Sequence, residues 1–333
     1  ILMTEGNFEE GHPYADEAIR LNPGVLGPEW TKAFGFLMAG DYEIGFPAWE
    51  CRLKLLKIDK PSIPMWKGES LKGKTLITYG EQGLGDVLQF VRFLKCLPPD
   101  TGNILFETPI ELRPLLEYSL SQWNLNIPFS FRNHGSTIPC VADYQISLLS
   151  LPSVVNGFPT DPYLHAPPAN ISGSTPGQRL KVGICWAGNP THKFDRERSS
   201  SLGEFLVELS VPELELFSLQ VGPENRKDDP SLIGEGGFVH DIAKQFKSFA
   251  DTATAIQSMD YIVTVDTSVA HLAGALGKNT CLLLPHRGLD WRWGLNSTAT
   301  RWYPNTKLFR KSPDDQNWLN ALNQVAKYLA KRS

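Results

Sequence analysis

At 333 residues the chain exceeds one ordinary domain of roughly 100–200 residues and has room for two and an appendage. Its 41% hydrophobic and 20% charged residues belong to a globular protein and exclude a disordered one. Its net charge of −4 lacks the basic excess that a phosphate backbone demands, which excludes a general nucleic-acid binder and leaves room for a single bound nucleotide.

The chain opens on Ile1 rather than Met, and Ile1 to Glu5 read as the tail of a helix, so further natural sequence is expected ahead of it. No basic stretch followed by an apolar core marks a leader, and no run approaches the ~18 apolar residues of a membrane span; a cytoplasmic location is expected. The segment Gly6-Asn7-Phe8-Glu9-Glu10-Gly11-His12-Pro13 recurs as Gly40-Asp41-Tyr42-Glu43-Ile44-Gly45-Phe46-Pro47 at an offset of 34 residues. Between these turns Trp30, Ala33, Phe34 and Leu37 fall at i, i+3, i+4 and i+7, one apolar helical face. Residues 1–57 thus resemble tetratricopeptide-type repeats, whose units need neighbours to share a core. They would act as a cap or as part of a groove for a protein partner.

Gly68-Glu69-Ser70-Leu71-Lys72-Gly73-Lys74-Thr75 fits the phosphate-loop pattern by letter, but that loop must follow a strand and open a helix, whereas this one leads into the strand Thr75 to Tyr79. After the strand come Gly80-Glu81-Gln82-Gly83-Leu84-Gly85-Asp86 and an apolar helix over Val87 to Leu97. Strand, glycine turn and helix open a Rossmann-like unit, expected over 60–166, although the glycines miss the dinucleotide spacing. Gly83 and Gly85 let backbone approach something closely. Asp86, at the carboxyl end of the strand, suits either a helix cap or a general base, and the residues alone leave both open. A strand at Ile104 to Glu107, a helix at Glu111 to Leu120 and the run Tyr144 to Leu151 continue the alternation.

Prolines and glycines crowd 159–177 as an interdomain linker, and a second Rossmann-like unit is expected over 178–333. Leu180 to Trp186 reads as a strand buried on both faces and ends in Ala187-Gly188-Asn189-Pro190. His192, Lys193, Arg196, Arg198, Ser199 and Ser200 follow, a concentration of cations and hydroxyls suited to an anion. Tyr261 to Val265 is a β-branched strand followed by Asp266-Thr267-Ser268 and a helix of small residues. The amides of such a helix start, their partial positive charge and the Thr267 and Ser268 hydroxyls suit a diphosphate, or the hydroxyls merely cap an ordinary strand-to-helix connection; His271 could add a donor and Asp266 could cap or stiffen the turn. No D-x-D occurs, so a metal held against a diphosphate is not expected. The five cysteines, Cys51, Cys96, Cys140, Cys185 and Cys281, are scattered and never C-x-x-C, which argues against a disulfide framework and a zinc site. Asp290-Trp291-Arg292-Trp293 and Trp302-Tyr303 would either stack on a base or sugar or pack a core. A closing helix over 315–331 would carry Trp318, Leu319, Leu322, Val325 and Leu329 on its apolar side.

With GEQGLGD (80–86), WAGN (186–189), DRERS (195–199) and FADTATAIQSMDYIVTVDTSVAHLAGALG (249–277) in view, essentially the whole chain resembles repeat-linked members of glycosyltransferase family 9, related to the ADP-heptose:lipopolysaccharide heptosyltransferases. The resemblance implies a GT-B fold, inversion without a metal or other cofactor, and a nucleotide sugar as co-substrate on the second domain. It maps the catalytic base onto Asp86 and donor binding onto Asn189, Lys193, Arg198, Asp266, Thr267, Ser268 and His271, with Gly83, Gly85 and Gly188 in support. The acceptor would be a saccharide, a lipid-linked group or, by analogy with repeat-linked protein O-glycosyltransferases, a protein. A non-catalytic scaffold is the alternative. Heptosyltransferases proper lack the repeats, and Gly294 to Arg301 has no counterpart in the pattern.

Overall fold

The computed structural model describes residues 6–57, 62–135, 141–168, 179–221, 230–234 and 237–332. The helix tail expected at 1–5, Cys140 and the 169–177 end of the linker lie outside these residues.

Four helices lead the chain: α1 (Phe8–Leu21), α2 (Leu26–Ala39), α3 (Tyr42–Trp49) and the single turn α4 (Arg52–Leu55). Phe8 opens α1, of 14 residues, and Tyr42, 34 positions on, opens α3, of 8 residues. Gly40 ends α2 in the left-handed region (φ 82°), and the Asp41 carboxylate then accepts Ile44 N–H at 3.3 Å to start α3. On the apolar face of α2, Ala33 and Leu37 are fully buried while Trp30 and Phe34 are half-buried.

The first sheet is parallel, in the order β3-β2-β1-β4, built from β1 (Thr75–Tyr79), β2 (Asn103–Thr108), β3 (Phe129–Asn133) and β4 (Tyr144–Ser147). Helix α5 (Leu84–Phe90) follows β1 and tightens into a 3-10 turn at Val91–Cys96, so the helix read from sequence is two segments; α6 (Arg113–Ser121) follows β2. The phosphate-loop match precedes β1, as its context required, and Lys74 pairs at the surface with Asp143 at 2.9 Å.

The second sheet is parallel too, in the order β10-β9-β8-β5-β6-β7. Its strands are β5 (Leu180–Cys185), β6 (Leu214–Ser218), β7 (Val239–Asp241), β8 (Tyr261–Val265), β9 (Thr280–Leu284) and β10 (Thr306–Arg310). Between them run α7 (Asp195–Arg198), α8 (Leu202–Leu209), α9 (Phe249–Gln257) and α10 (Ser268–Ala275), and α11 (Leu319–Leu329) closes the chain. The chain leaves β5 toward β6 on one side, while β8 lies on the other. The strand order therefore reverses between β5 and β8, where open α/β sheets leave a crevice at the strands' carboxyl ends. In the first sheet the reversal lies between β1 and β4, and Asp86 stands in the first turn of the helix that follows β1.

One aromatic cluster joins the leading helices to both sheets. Phe46 and Trp49 of α3, Phe90 and Phe93, Trp291 and Trp302 are all at most 3% exposed. Phe158 and Trp302 have centroids 4.6 Å apart, and Trp49 and Trp291 5.4 Å. Trp291, Trp293, Trp302 and Tyr303 are thus core residues, which settles the choice between packing and ligand stacking for packing; burying each contributes roughly 2–3 kcal/mol. No described helix is long and apolar enough to cross a membrane.

Candidate active site

A cavity of about 340 Å³ opens at the carboxyl ends of β5, β6 and β8, within the size range of small-molecule sites of roughly 300–1,000 Å³. Ala187, Gly188 and Asn189 line it from the end of β5, Leu219 to Val221 from β6, and Thr267 to Val269 from the start of α10. Phe246 to Phe249 form the remaining wall, and Glu111 reaches its edge from the other sheet. The Gln220 side chain stiffens the floor: its Oε1 accepts Ala187 N–H at 2.9 Å.

Two helices start on this cavity, and they differ. At α9, Ser248 Oγ accepts Ala250 N–H at 3.3 Å and the Glu111 carbonyl accepts Phe249 N–H at 3.0 Å, so its first amides are occupied. At α10 the cap residue Thr267 makes no side-chain hydrogen bond to the first turn, and Thr267 and Ser268 are half-buried at the cavity wall. Ala270 N–H is taken by the Thr267 carbonyl at 2.9 Å, so it is the Ser268 and Val269 amides, with the partial positive charge of the helix start, that an anion would meet.

The start of α5 packs directly beside it. A methyl group on Gly85 would lie 3.6 Å from Ser268 Cα and 2.8 Å from the His271 ring, so only glycine admits this approach. Asp86 is therefore held next to the first turn of α10, although it is not itself a wall of the cavity. Its Oδ2 accepts Gly83 N–H at 2.9 Å, the capping role, while Oδ1 pairs with Arg292 Nη2. Burial raises the Asp86 pKa, opposed by Arg292 and reinforced by Asp290. Arg292 also chelates Asp290 at 2.9 and 3.0 Å, donates to Gln89 Oε1 and lies 4.5 Å over the Trp291 ring.

The remaining sequence-read residues divide. Gly188 and Asn189 line the cavity, and Asn189 Oδ1 accepts from Thr191 N–H at 3.0 Å, bending the loop after β5. Arg198 lies against Gly188, where a Cβ would sit 2.6 Å from Nη2, and donates to the Asp266 carbonyl at 3.1 Å. The Asp266 carboxyl is pushed up to about 6 by burial and by Asp290, against the pull of Arg198. Lys193 stands apart: it is exposed, with Nζ 5.1 Å over the Phe194 ring, and it does not line the cavity. His271 also faces elsewhere than the cavity. Its ring stacks on Trp293 at 5.4 Å and Nδ1 meets the Tyr303 hydroxyl at 2.9 Å, and burial holds its pKa well below the ordinary value, leaving a neutral imidazole. Arg292 figures in the sequence reading only within an aromatic stretch, and Gln220 and Ser248 have no role there. Arg292 had a signal, its place within a Trp-flanked Asp-x-Arg; Gln220 and Ser248 had none.

No family model matches the chain. Protein FlbA of Caulobacter vibrioides is 24% identical over 328 residues, covering 88% of this chain and 54% of its own length, so the chain spans about half of that relative. Among solved structures, a glycosyl transferase family 9 protein from Veillonella parvula superposes with a TM-score of 0.53 at 12% identity, covering 80% of this chain and all of that one. The ADP-heptose LPS heptosyltransferase II of E. coli gives 0.46 at 13% identity over 78% of this chain and all of that one. The chain is a mixed α/β protein of two parallel sheets that shares its fold with the family 9 structure from Veillonella parvula.

Proposed function

We propose that the chain is a glycosyltransferase that moves a sugar from a nucleoside-diphosphate sugar to an acceptor hydroxyl, with inversion and without a metal, on a GT-B-like pair of domains at 60–166 and 178–333 behind tetratricopeptide-type helices. The observation that carries this reading is the uncapped start of α10 on the cavity wall, with Asp86 of the first sheet packed beside it. A nucleoside occupies the cavity between Leu219–Val221 and Phe249, and its diphosphate meets the amides and hydroxyls of Thr267 and Ser268. The acceptor oxygen attacks the anomeric carbon as the bond to the diphosphate breaks, and its proton passes to Asp86. Charge on the departing diphosphate is met by the dipole of α10 and by Arg198.

For that transfer Asp86 Oδ1 must exchange its bond to Arg292 for the acceptor hydroxyl, and its raised pKa makes it a stronger base than an ordinary carboxylate. Thermal-shift screening of ADP-, UDP-, GDP- and CDP-glucose, followed by assay of donor hydrolysis, tests the reading. Stabilisation and slow hydrolysis by one nucleotide class are expected; no shift with any of the four removes the donor site and favours a scaffold.

A further inference from the structure

The leading helices close on the turn that carries Asp86. Arg52 is fully buried, and its guanidinium donates to Glu81 Oε1 from Nε at 2.9 Å and also from Nη2, to Ser150 Oγ at 2.8 Å and to Glu50 Oε1 at 2.6 Å. Glu81 is the second residue of the GEQGLGD turn, and its side chain has no exposed surface. Its Oε1 also accepts from Ser147 Oγ at 2.6 Å, while Oε2 is buried with no hydrogen-bond partner. A carboxylate this deep depends on its counter-ion, because removing one member of a buried pair strands the other. Asp86 lies five residues further along the same turn.

The same helices also hold the other half of the Asp86–Arg292 pair. Trp291, the neighbour of Arg292, packs against Tyr42, Phe46 and Trp49 with centroids 6.0, 6.0 and 5.4 Å away. Trp302 adds a hydrogen bond from Nε1 to Tyr42 Oη at 3.1 Å. One helical block therefore supports the Asp86 turn through a buried ion pair and the Arg292 turn through aromatic packing. An adaptor that merely recruits a partner needs neither contact.

We infer that the helical segment is a working part of the reaction centre, and that Arg52 is a positioning residue that fixes the Asp86 turn against Arg292. This rests on the reading of Asp86 as the base. The test uses the full chain with Arg52→Met, Arg52→Lys and Glu81→Gln. Two readouts are taken: amide hydrogen exchange of residues 80–86 and 289–294, and steady-state hydrolysis of ADP-, UDP-, GDP- and CDP-glucose.

For Arg52→Met, exchange over 80–86 is expected to accelerate about tenfold or more while β5, β6 and β8 exchange as in the wild type. With the donor the wild type hydrolyses best, kcat should fall about tenfold with KM within about twofold, since the donor cavity is built without Arg52. Arg52→Lys should restore part of kcat, and Glu81→Gln should show the same local acceleration in weaker form. Should Arg52→Met fail to fold, Glu81→Gln carries the comparison. Unchanged exchange over 80–86, or acceleration spread evenly through both sheets, overturns the inference. If the wild type hydrolyses none of the four donors, the transferase reading fails while exchange over 80–86 still decides whether Arg52 holds that turn.

Discussion

Arg292 Nη2 binds Asp86 Oδ1 across 206 residues of sequence, joining the turn after the first strand of one sheet to a 3-10 turn beyond β9 of the other. Each is at a helix start, and each is largely buried, at 5% and 18% side-chain exposure. The pair fixes where the two sheets meet and what state the carboxylate is in.

Arg292→Met leaves Asp86 and Asp290 without their shared cation. Breaking a buried pair in this way costs about 3–5 kcal/mol, read as a lower midpoint in urea unfolding. The Asp86 pKa, already raised by burial, loses the attraction that opposes it and rises further. A base works ionised, so the acid limb of the pH–rate profile should move to higher pH in this variant. Arg292→Lys should recover only part of the stability, because an ammonium cannot reach Asp86, Asp290 and Gln89 at once.

Asp266 gives the fold a pH dependence of the opposite sense to a salt-bridged carboxylate. Its folded pKa is raised to about 6, so its contribution is fully present below the unfolded value near 4 and is lost as pH rises to 6. Asp266→Asn should match the wild type in stability at pH 4 and exceed it by about 2–3 kcal/mol at pH 7.5, measured by chemical denaturation at both values. A constant difference between the two variants across this range would contradict the assignment.

Two glycines permit close approaches with different consequences. Gly85→Ala pushes a methyl into the His271 ring, which Trp293 and Tyr303 hold in place, so a loss of about 1–3 kcal/mol in unfolding free energy is expected. Gly188→Ala meets the Arg198 guanidinium instead, whose Nη1 donates to the Asp266 carbonyl at 3.1 Å. Moving that side chain gives up this bond, so a stability loss of about 1–2 kcal/mol is expected, while nucleoside-diphosphate affinity, measured by calorimetry, drops several-fold.

How much of this could be read beforehand follows the range of the interactions. β1, β5 and β8 were legible because parallel strands buried on both faces are continuous apolar runs, and the turns after them announce themselves by glycine and hydroxyl residues. Gly188, Asn189, Thr267 and Ser268 meet at one cavity because all follow such strands. Lys193 and His271 carry the right chemistry for an anion, but neither lines the cavity: the first side chain is exposed over the Phe194 ring, and the second ring is claimed by Trp293 and Tyr303. Strands β3, β6, β7, β9 and β10 are not placed from the sequence, although β9 is itself an apolar run between Gly277 and Pro285. The Asp86–Arg292 and Glu81–Arg52 pairs are invisible to any local pattern, since each joins groups that only the tertiary fold brings together.

Turnover and nucleotide affinity of Asp86→Ala, measured on the same preparation, decide whether Asp86 is the base. Loss of transfer by about 10²–10⁴-fold, with nucleoside-diphosphate binding at the α10 start retained, is the expected result. Transfer at the wild-type rate would contradict it, and would return Asp86 to the two structural tasks already visible, capping α5 and pairing with Arg292.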